Sequence, residues 1–518
     1  MNRWVLFFVL AIVVALALRL PQLDRRPMHN DESVNAVKFG QLWQHGEYRY
    51  DPTEHHGPTL HYFTAVFCKL TGAPDYKRLP ESHLRLFTAL MGVAIILLLP
   101  LLRDSLGRGA VVAAGFFAAL SPALVFYSRY WIHEELLVLF SFLTIAAAWR
   151  FLQQPSWVWA ALTGVALGLI QATKETFVFV LAAAGGAIVL DLLATGFTRR
   201  LSGENGLGVF AFPERRGAMF KHIAIAAAAW LSVWATLFSS FFGNWAGLPD
   251  SIRTYASWWN LAGGHSPHAH PWDFYLERLF WFKSAQGMFW SEGLLFVLAI
   301  FAVRESYRRN PRMSADAGLV RFLTFYTVLL AAIYAVIPYK TPWCALGFLH
   351  GLILLAGVGA SVLWRISSGL IPKLGLSVAL GLGVAHLGWQ AWRASFPLCA
   401  DRANPWVYAQ TSPDLLNLVE KVRSVAQAGE GDATLIKVIT LDGDCWPLPW
   451  YLREFNHVGW WPEAPADPLA PMVIASAKSD LRLDAQGTHV MIGYFELRPQ
   501  VFLELYVERG LWEGFLKR

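Results

Sequence analysis

Charge is scarce in this chain of 518 residues: Asp, Glu, Lys and Arg together make up 15% of it. A soluble globular domain carries about a quarter, so an ordinary soluble protein is excluded. Cysteine is equally sparse. The four are Cys68, Cys344, Cys399 and Cys445, and no two form a Cys-x-x-Cys pair, which leaves a zinc ribbon or thioredoxin-like motif without support. Cys399 and Cys445 share the C-terminal segment and are a candidate disulfide pair if that segment lies in an oxidising space. No glycine-rich phosphate loop is present, and no internal repeat of the kind many transporters show.

Long apolar runs take the place of the missing charge, and 55% of the residues are hydrophobic. Runs near ~20 residues read as membrane spans. They fall at 4–20, 84–102, 110–127, 135–151, 157–171, 176–194, 222–242, 285–303, 321–338, 343–363 and 374–392. The chain therefore reads as an α-helical polytopic membrane protein of about eleven spans. The first run has a rival reading as a signal peptide, with Arg3 before it and Ala15-Leu16-Ala17 as a cleavage site; its length favours a retained span. The 24 tryptophans suit a protein with two membrane interfaces.

Basic residues set the orientation. One set of connections holds Arg103 and Arg108; Arg199, Arg200, Arg215, Arg216 and Lys221; Arg304, Arg308, Arg309 and Arg312; and Arg365 and Lys373. The opposite short turns hold Arg129, Lys174 and Lys340. The richer side is cytoplasmic by the positive-inside rule. This puts the N-terminus inside the cell membrane and the loops 21–83 and 243–284 and the segment 394–518 outside. The net charge of +6 needs no nucleic-acid partner.

Two domains follow: residues 1–393 in the membrane, including the first outer loop 21–83, and an outer α/β domain at 394–518. Within the loop, Ser33 to Trp43 and Thr59 to Leu70 have helical spacing, with Asp31 or Ser33 as the N-cap of the first. In the C-terminal domain, Ser412 to Gln427 reads as a helix. Ala433 to Thr440, Met472 to Ala475 and His489 to Glu496 read as strands, and alternation with helices favours a partly parallel sheet.

The remaining charges gather at the outer mouths of spans, where ionisable groups are costly and mark functional sites. Asp31 and Glu32 follow the first span. One of them is a candidate general base or metal ligand; helix capping is the plainer role. Adjacent residues on a helix face different ways, so at most one points into a site. His133-Glu134-Glu135 precedes the fourth span. Carboxylates suit Mg²⁺ or Mn²⁺ and imidazole suits Zn²⁺, so His133 and Glu134 are candidate ligands; a hydrogen-bond network without metal is the alternative. His265, His268 and His270 add a second histidine cluster beside Trp258, Trp259 and Trp272, and His265 joins the candidate ligands. Lys174 and Lys340 are candidate phosphate ligands as point charges, with Arg129 a third; an ion pair for Lys174 and snorkelling for Lys340 are the plain readings. His56, Glu175 and Tyr339 are candidates for positioning the substrate.

At this point the chain resembles the C-type (GT-C) membrane glycosyltransferases, within them the protein O-mannosyltransferase and aminoarabinose-transferase group. The resemblance rests on Asp31-Glu32 in the first outer loop and on His56-Gly57-Pro58-Thr59-Leu60-His61-Tyr62-Phe63, which looks like the Pro-Pro-Leu-Tyr-Tyr-type motif of those enzymes. Ser128-Arg129-Tyr130-Trp131-Ile132-His133-Glu134, Thr173-Lys174-Glu175, Pro338-Tyr339-Lys340-Thr341-Pro342-Trp343 and Trp446-Pro447-Leu448-Pro449-Trp450-Tyr451 are similar to the flippase-activity-associated branch linked to archaeal N-glycosylation. The resemblance implies a GT-C-like fold and a polyprenyl-phosphate sugar as donor. It implies transfer on the outer face of the cell membrane to a protein, lipid or glycan acceptor, with membrane lipids as surroundings and Asp31, supported by Glu32, as the acidic base. The outer His-Glu-Glu departs from the family's Asp-x-Asp pattern, which leaves the divalent cation (Mg²⁺, Mn²⁺ or Zn²⁺) open. A lipid-linked sugar flippase, or a non-catalytic factor that assists flipping in surface-glycan assembly, is the competing reading. Against a transporter, the charges collect at outer mouths rather than mid-span.

Overall fold

The structure, a computed structural model, describes residues 2–53, 56–202, 216–263, 268–284 and 287–518. The chain forms two compact units. The first comprises Met1–Leu23, Arg49–Phe67 and Leu84–Trp406; the second comprises Asp24–Tyr48, Cys68–His83 and Val407–Arg518. The first outer loop is thus shared between them, and the helix at its centre, Thr59–Thr71, begins in one and ends in the other.

In the first unit the helices are α1 (Arg3–Arg19), α4 (Glu81–Leu98), α5 (Arg108–Leu120), α6 (Pro122–Ser128), α7 (Glu134–Gln153), α8 (Trp157–Gln171), α9 (Phe177–Ser202), α10 (Arg216–Phe238), α11 (Gly247–Gly263), α12 (Gly293–Ser306), α13 (Ala317–Val336), α14 (Leu346–Ile366) and α15 (Leu370–Ser395); α2 (Asn30–His45) lies in the second unit, and α3 is Thr59–Thr71. Ten of the expected apolar runs are mainly helical; in the eleventh, 285–303, residues 285 and 286 lie outside the described residues, Phe289–Trp290 pairs as a short antiparallel strand with Phe282–Lys283, and the helix begins at Gly293. Among the described residues seven helices are long and apolar enough to cross a membrane, or eight when the bent pair α5 and α6 counts as one span. The remaining three runs are shorter: 17 residues in α1, 15 in α8 and 14 in α12. At 1.5 Å per residue a helix of that kind rises only about 21–26 Å, less than the ~30 Å hydrocarbon core. The expected eleven therefore counts apolar runs, of which eight meet the length of a full span.

The bend between α5 and α6 is 60° and has a local cause. Pro122 has no N–H to continue the ladder, so the chain breaks at Ser121 and starts a new helix. Ser121 caps it, accepting from Leu124 N–H at 3.4 Å. The buried Glu292 completes the cap: it accepts from the Ser121 hydroxyl at 2.6 Å and from Ala123 N–H at 3.2 Å. Two arginines fasten the end of α1. Arg19 donates to the carbonyls of Ala118 and Ala119 at 2.9 and 3.1 Å. Arg129 donates to those of Leu18, Arg19, Pro21 and Gln22 at 2.8–3.3 Å and stacks over Phe396 at 4.6 Å. Those carbonyls lie where a helix end has no partner of its own. Deeper in the bundle, Asp191 of α9 pairs with Arg321 of α13 at 2.6 Å.

The second unit is built on a five-stranded sheet. Its strands are β1 (Ile436–Ile439), β2 (Val458–Trp461), β3 (Met472–Ser476), β4 (His489–Arg498) and β5 (Val501–Glu508), in the order β2-β1-β3-β5-β4. The pairs β1–β2 and β1–β3 are parallel, and β3–β5 and β5–β4 antiparallel, so the sheet is partly parallel as expected. Helix α16 (Asp414–Ala426) buries Leu415, Leu418, Val419 and Val422, the i, i+3, i+4, i+7 stripe of an amphipathic helix. A short helix, α17 (Arg509–Leu516), ends the chain. Helix α2 is capped by His29 rather than by Asp31 or Ser33: its ring accepts from Asp31 N–H while the Glu32 carboxylate accepts from His29 N–H, a reciprocal capping box. All four cysteines are free thiols.

Because Glu292 is buried and answers both the Ser121 hydroxyl and the Ala123 N–H, Glu292→Ala should lower the melting temperature of the detergent-solubilised protein by leaving both donors unpaired; an unchanged melting temperature would show that this cap carries no stability.

Candidate active site

The candidate residues fall into two groups, one in each unit. In the second unit the capping box assigns different states to the two adjacent carboxylates. Glu32 is fully buried. It pairs with Arg26 through both oxygens, at 3.2 and 3.3 Å, and accepts the His29 N–H at 2.9 Å. Asp31 sits one residue away, 100° round the helix; its side chain is 43% exposed and its Oδ1 lies 3.8 Å from His29 Nδ1. His29 is itself held at both nitrogens, Nδ1 by Asp31 N–H and Nε2 on the Tyr408 carbonyl at 3.0 Å. The strap that carries the pair is anchored from the same unit: Tyr451 donates no charge but accepts Met28 N–H at 2.8 Å, and Thr411 bonds the Met28 carbonyl at 2.7 Å.

In the first unit the backbone around His56-Gly57-Pro58-Thr59 is tied to the turn between α8 and α9. Gly57 N–H donates to the Thr173 carbonyl and Thr59 N–H to the Ala172 carbonyl, both at 3.1 Å, and the Thr59 and Thr173 hydroxyls bond at 2.9 Å. Gly57 has to be glycine, because a Cβ there would stand 2.2 Å from the Ala172 oxygen. This tie brings His56, His133, Glu134, Lys174 and Glu175 into one cluster. His56 Nδ1 bonds Glu175 at 2.7 Å, its ring stacks on Trp258 at 5.0 Å, and it meets His133 edge-on at 5.2 Å. Tyr50 donates to the other Glu175 oxygen at 3.3 Å. His133 Nε2 bonds the Gly57 carbonyl at 3.0 Å. Lys174 pairs with Glu134, and both are buried. Burial works against the ammonium, but the Glu134 carboxylate overrides it and holds Lys174 above the ordinary lysine range. Burial, aided by His56, His61 and Lys174, lowers His133 well below 6.5, so this imidazole is neutral.

Lys340 and Tyr339 belong to a different strip. Ala269 and Tyr339 form an antiparallel bridge, and Lys340 N–H donates to the His268 carbonyl at 2.9 Å. The Lys340 ammonium bonds the His270 carbonyl at 3.1 Å and the Ile337 carbonyl, and Tyr339 contacts the His268 ring at 5.0 Å. Arg129 is taken up by the carbonyls after α1. His265 lies outside the described residues. Sequence reasoning missed Tyr50 and the stacking partner role of Trp258; an aromatic in a polar outer loop is the signal that marks both.

A divalent cation does not fit His133 and Glu134. Lys174 already satisfies the carboxylate, and its positive charge stands where the metal would have to be. Among the described residues no group of three His, Cys, Asp or Glu is placed to hold a metal. No step below is routed through one.

With this geometry established, the comparisons with known proteins fall into place. Residues 55–205 match the family model for dolichyl-phosphate-mannose-protein mannosyltransferase, which covers the tied cluster and α4 to α9. No curated protein matches the chain. Among solved structures, ArnT from Cupriavidus metallidurans bound to undecaprenyl phosphate aligns over 98% of both chains at 16% identity with a TM-score of 0.62. The Archaeoglobus fulgidus oligosaccharyltransferase tethered to an acceptor peptide aligns over 99% of this chain and 77% of its own, at 13% identity and a TM-score of 0.55. The mycobacterial arabinofuranosyltransferase AftD aligns over 98% of this chain and 40% of its own, at 16% identity and a TM-score of 0.50. At these identities the likeness establishes the fold: this is a multi-pass membrane protein with the GT-C fold of membrane glycosyltransferases.

The Lys174–Glu134 pair gives a clear expectation. Removing one partner of a buried ion pair costs about 3–5 kcal/mol, whereas replacing both with apolar groups of similar size is close to neutral. Glu134→Leu and Lys174→Met alone should each lower the melting temperature sharply, and the double variant should recover most of the loss. Additive losses in the double variant would show that the two side chains do not act as a pair.

Proposed function

We propose that this protein transfers a sugar from a polyprenyl-phosphate donor to an acceptor on the outer face of the cell membrane, with Asp31 as the base. The observation that carries the assignment is the contrast within the acidic pair: Glu32 is enclosed by Arg26 and the His29 N–H, while Asp31 keeps an accessible carboxylate. The likeness to ArnT bound to undecaprenyl phosphate supports a donor of this class. The positive-inside arrangement, with the N-terminus cytoplasmic, puts both groups of candidates outside.

In the reaction the acceptor hydroxyl or amide gives its proton to Asp31. Its oxygen or nitrogen forms a bond to the anomeric carbon as the bond from that carbon to the phosphate oxygen breaks. The electron pair leaves with polyprenyl phosphate, and the anomeric configuration inverts. The departing phosphate gains negative charge and needs donors already in place. Within the first unit His56 is assigned to positioning: Glu175 fixes its Nδ1, Trp258 fixes its ring, and its Nε2 makes no hydrogen bond among the described residues. Lys174, Lys340 and Arg129 support the surrounding backbone and carry positive potential, but their bonds to Glu134 and to carbonyls favour a background role. Tyr339 lies on the Lys340 strip and is assigned to positioning.

General-base catalysis contributes typically ~10²–10⁴-fold. Purified protein in nanodiscs, given polyprenyl-phosphate sugars, should release polyprenyl phosphate, and Asp31→Asn should lower that release by about this factor with an unchanged melting temperature. Glu32→Gln should instead lower the melting temperature, because it leaves Arg26 buried without its countercharge. Near-normal release by Asp31→Asn would remove Asp31 from the role. Movement of the lipid-linked sugar across the bilayer without bond cleavage would favour the flippase.

A further inference from the structure

The second unit holds a groove of about 350 Å³, within the size range of small-molecule sites, ~300–1,000 Å³. One wall is a single stripe of α2: Val37, Gly40, Gln41 and Gln44, at i, i+3, i+4 and i+7. The other comes from the segment before and within β2, an edge strand of the sheet, with Asn456 and Trp460. Tyr76 closes the floor. Its ring lies against Gly40, where a Cβ would stand 2.7 Å from the ring.

Three features describe what this groove would take. First, the Tyr76 residue is only 8% exposed, and its hydroxyl is buried with no hydrogen-bond partner among the described residues. A buried hydroxyl in that state is rare and needs an explanation. Burial raises its pKa to about 12 against the opposing charge of Arg453, so it remains a donor. Second, the lining is poor in charge, with one imidazole, the exposed His45 at the end of α2. It contains no carboxylate. Its one guanidinium, Arg453, is taken up by the carbonyls of Tyr76, Leu79 and Trp450 and stacks on the Trp450 ring at 3.5 Å. Third, beside the His45 imidazole the polar groups around the rim are amides. Gln41 and Gln44 are exposed, and Asn456 has its oxygen held by Lys77 at 2.7 Å, which leaves its NH₂ to donate. Beside them Trp460 is 38% exposed.

A lining of amides, a phenol and an imidazole next to an indole, with no carboxylate and its guanidinium taken up, matches one chemistry best. A sugar ring has an apolar face that rests on an aromatic side chain and a rim of hydroxyls that exchange hydrogen bonds with amides. We infer that this groove is a binding site for a neutral saccharide, separate from the residues assigned to transfer. Trp460 supplies the platform, and Tyr76, Gln41, Gln44 and Asn456 supply the hydrogen bonds. The inference does not depend on the transfer reading.

The test uses the full chain in nanodiscs and a panel of free neutral oligosaccharides of mannose, glucose, galactose, arabinose and N-acetylglucosamine, with binding read by saturation-transfer NMR. At least one member should bind. Tyr76→Phe removes only the hydroxyl and should weaken that binding about three- to tenfold, the value of one hydrogen bond. Trp460→Ala at an exposed position should weaken it by about tenfold. Both variants should keep the melting temperature and the rate of polyprenyl-phosphate release of the parent. Failure of every sugar to bind at millimolar concentration would overturn the inference, as would binding that both variants retain in full, or capture of neutral peptides in place of sugars. Saccharide binding in a protein that releases no polyprenyl phosphate would uphold the groove and count against the transfer reading alone.

Discussion

The buried pair of Glu134 and Lys174 is the interaction on which the polar cluster of the first unit depends. A lone carboxylate at the start of α7 or a lone ammonium after α8 would be too costly to bury. Together they are tolerated, and they tie the two turns that carry them. The turn bearing Lys174 then receives the backbone of Gly57 and Thr59 through paired N–H to carbonyl bonds. That contact carries His56 to Glu175 and His133 to the Gly57 carbonyl. One ion pair and one glycine thus place three elements distant in sequence, the first outer loop, the start of α7 and the start of α9, in a single polar cluster.

The same rule, that buried charge must be answered locally, separates the candidates into those that support and those that can react. Arg129 answers the open carbonyls after α1, Lys340 those of Ile337 and His270, and Arg26 the carboxylate of Glu32. Each of these is placed to stabilise its surroundings. Asp31 and His56 stand apart because their neighbours orient them without enclosing them: the first lies beside the capping ring of His29, the second between Glu175 and Trp258. Groups of this second kind can meet a substrate, and those of the first hold them in place.

Much of the architecture was legible in the chain. The apolar runs are mainly helical, since a run of that length has few alternatives in a membrane; the exception is the start of 285–303, where Phe289–Trp290 pairs as a short strand before the helix begins at Gly293. Helix α16 and the strands β1, β3 and β4 were visible as amphipathic or β-branched patterns. Strands β2 and β5 were not. Val458-Gly459-Trp460-Trp461 is short and interrupted by glycine, and Val501 to Glu508 begins just three residues after β4 ends, so neither stands out as a separate alternating segment. The cap of α2 was misplaced because histidine is an uncommon capping residue, and the capping box appears only when the Nδ1 and the Glu32 carboxylate are seen in position.

What the sequence determined by itself was the class of molecule, the location of its spans and the short turns on which its acidic, basic and histidine residues lie, because apolar length and local charge are properties of contiguous residues. What only the tertiary structure decided was the state of each of those residues. Whether Lys174 is a free phosphate ligand or half of a buried pair, and whether Asp31 or Glu32 keeps an open carboxylate, depends on partners 40 and 6 residues away. That the end of α2, Tyr76 and the strand edge at Trp460 enclose one groove depends on segments hundreds of residues apart. Burial and pairing are set by long-range packing, which no local pattern records.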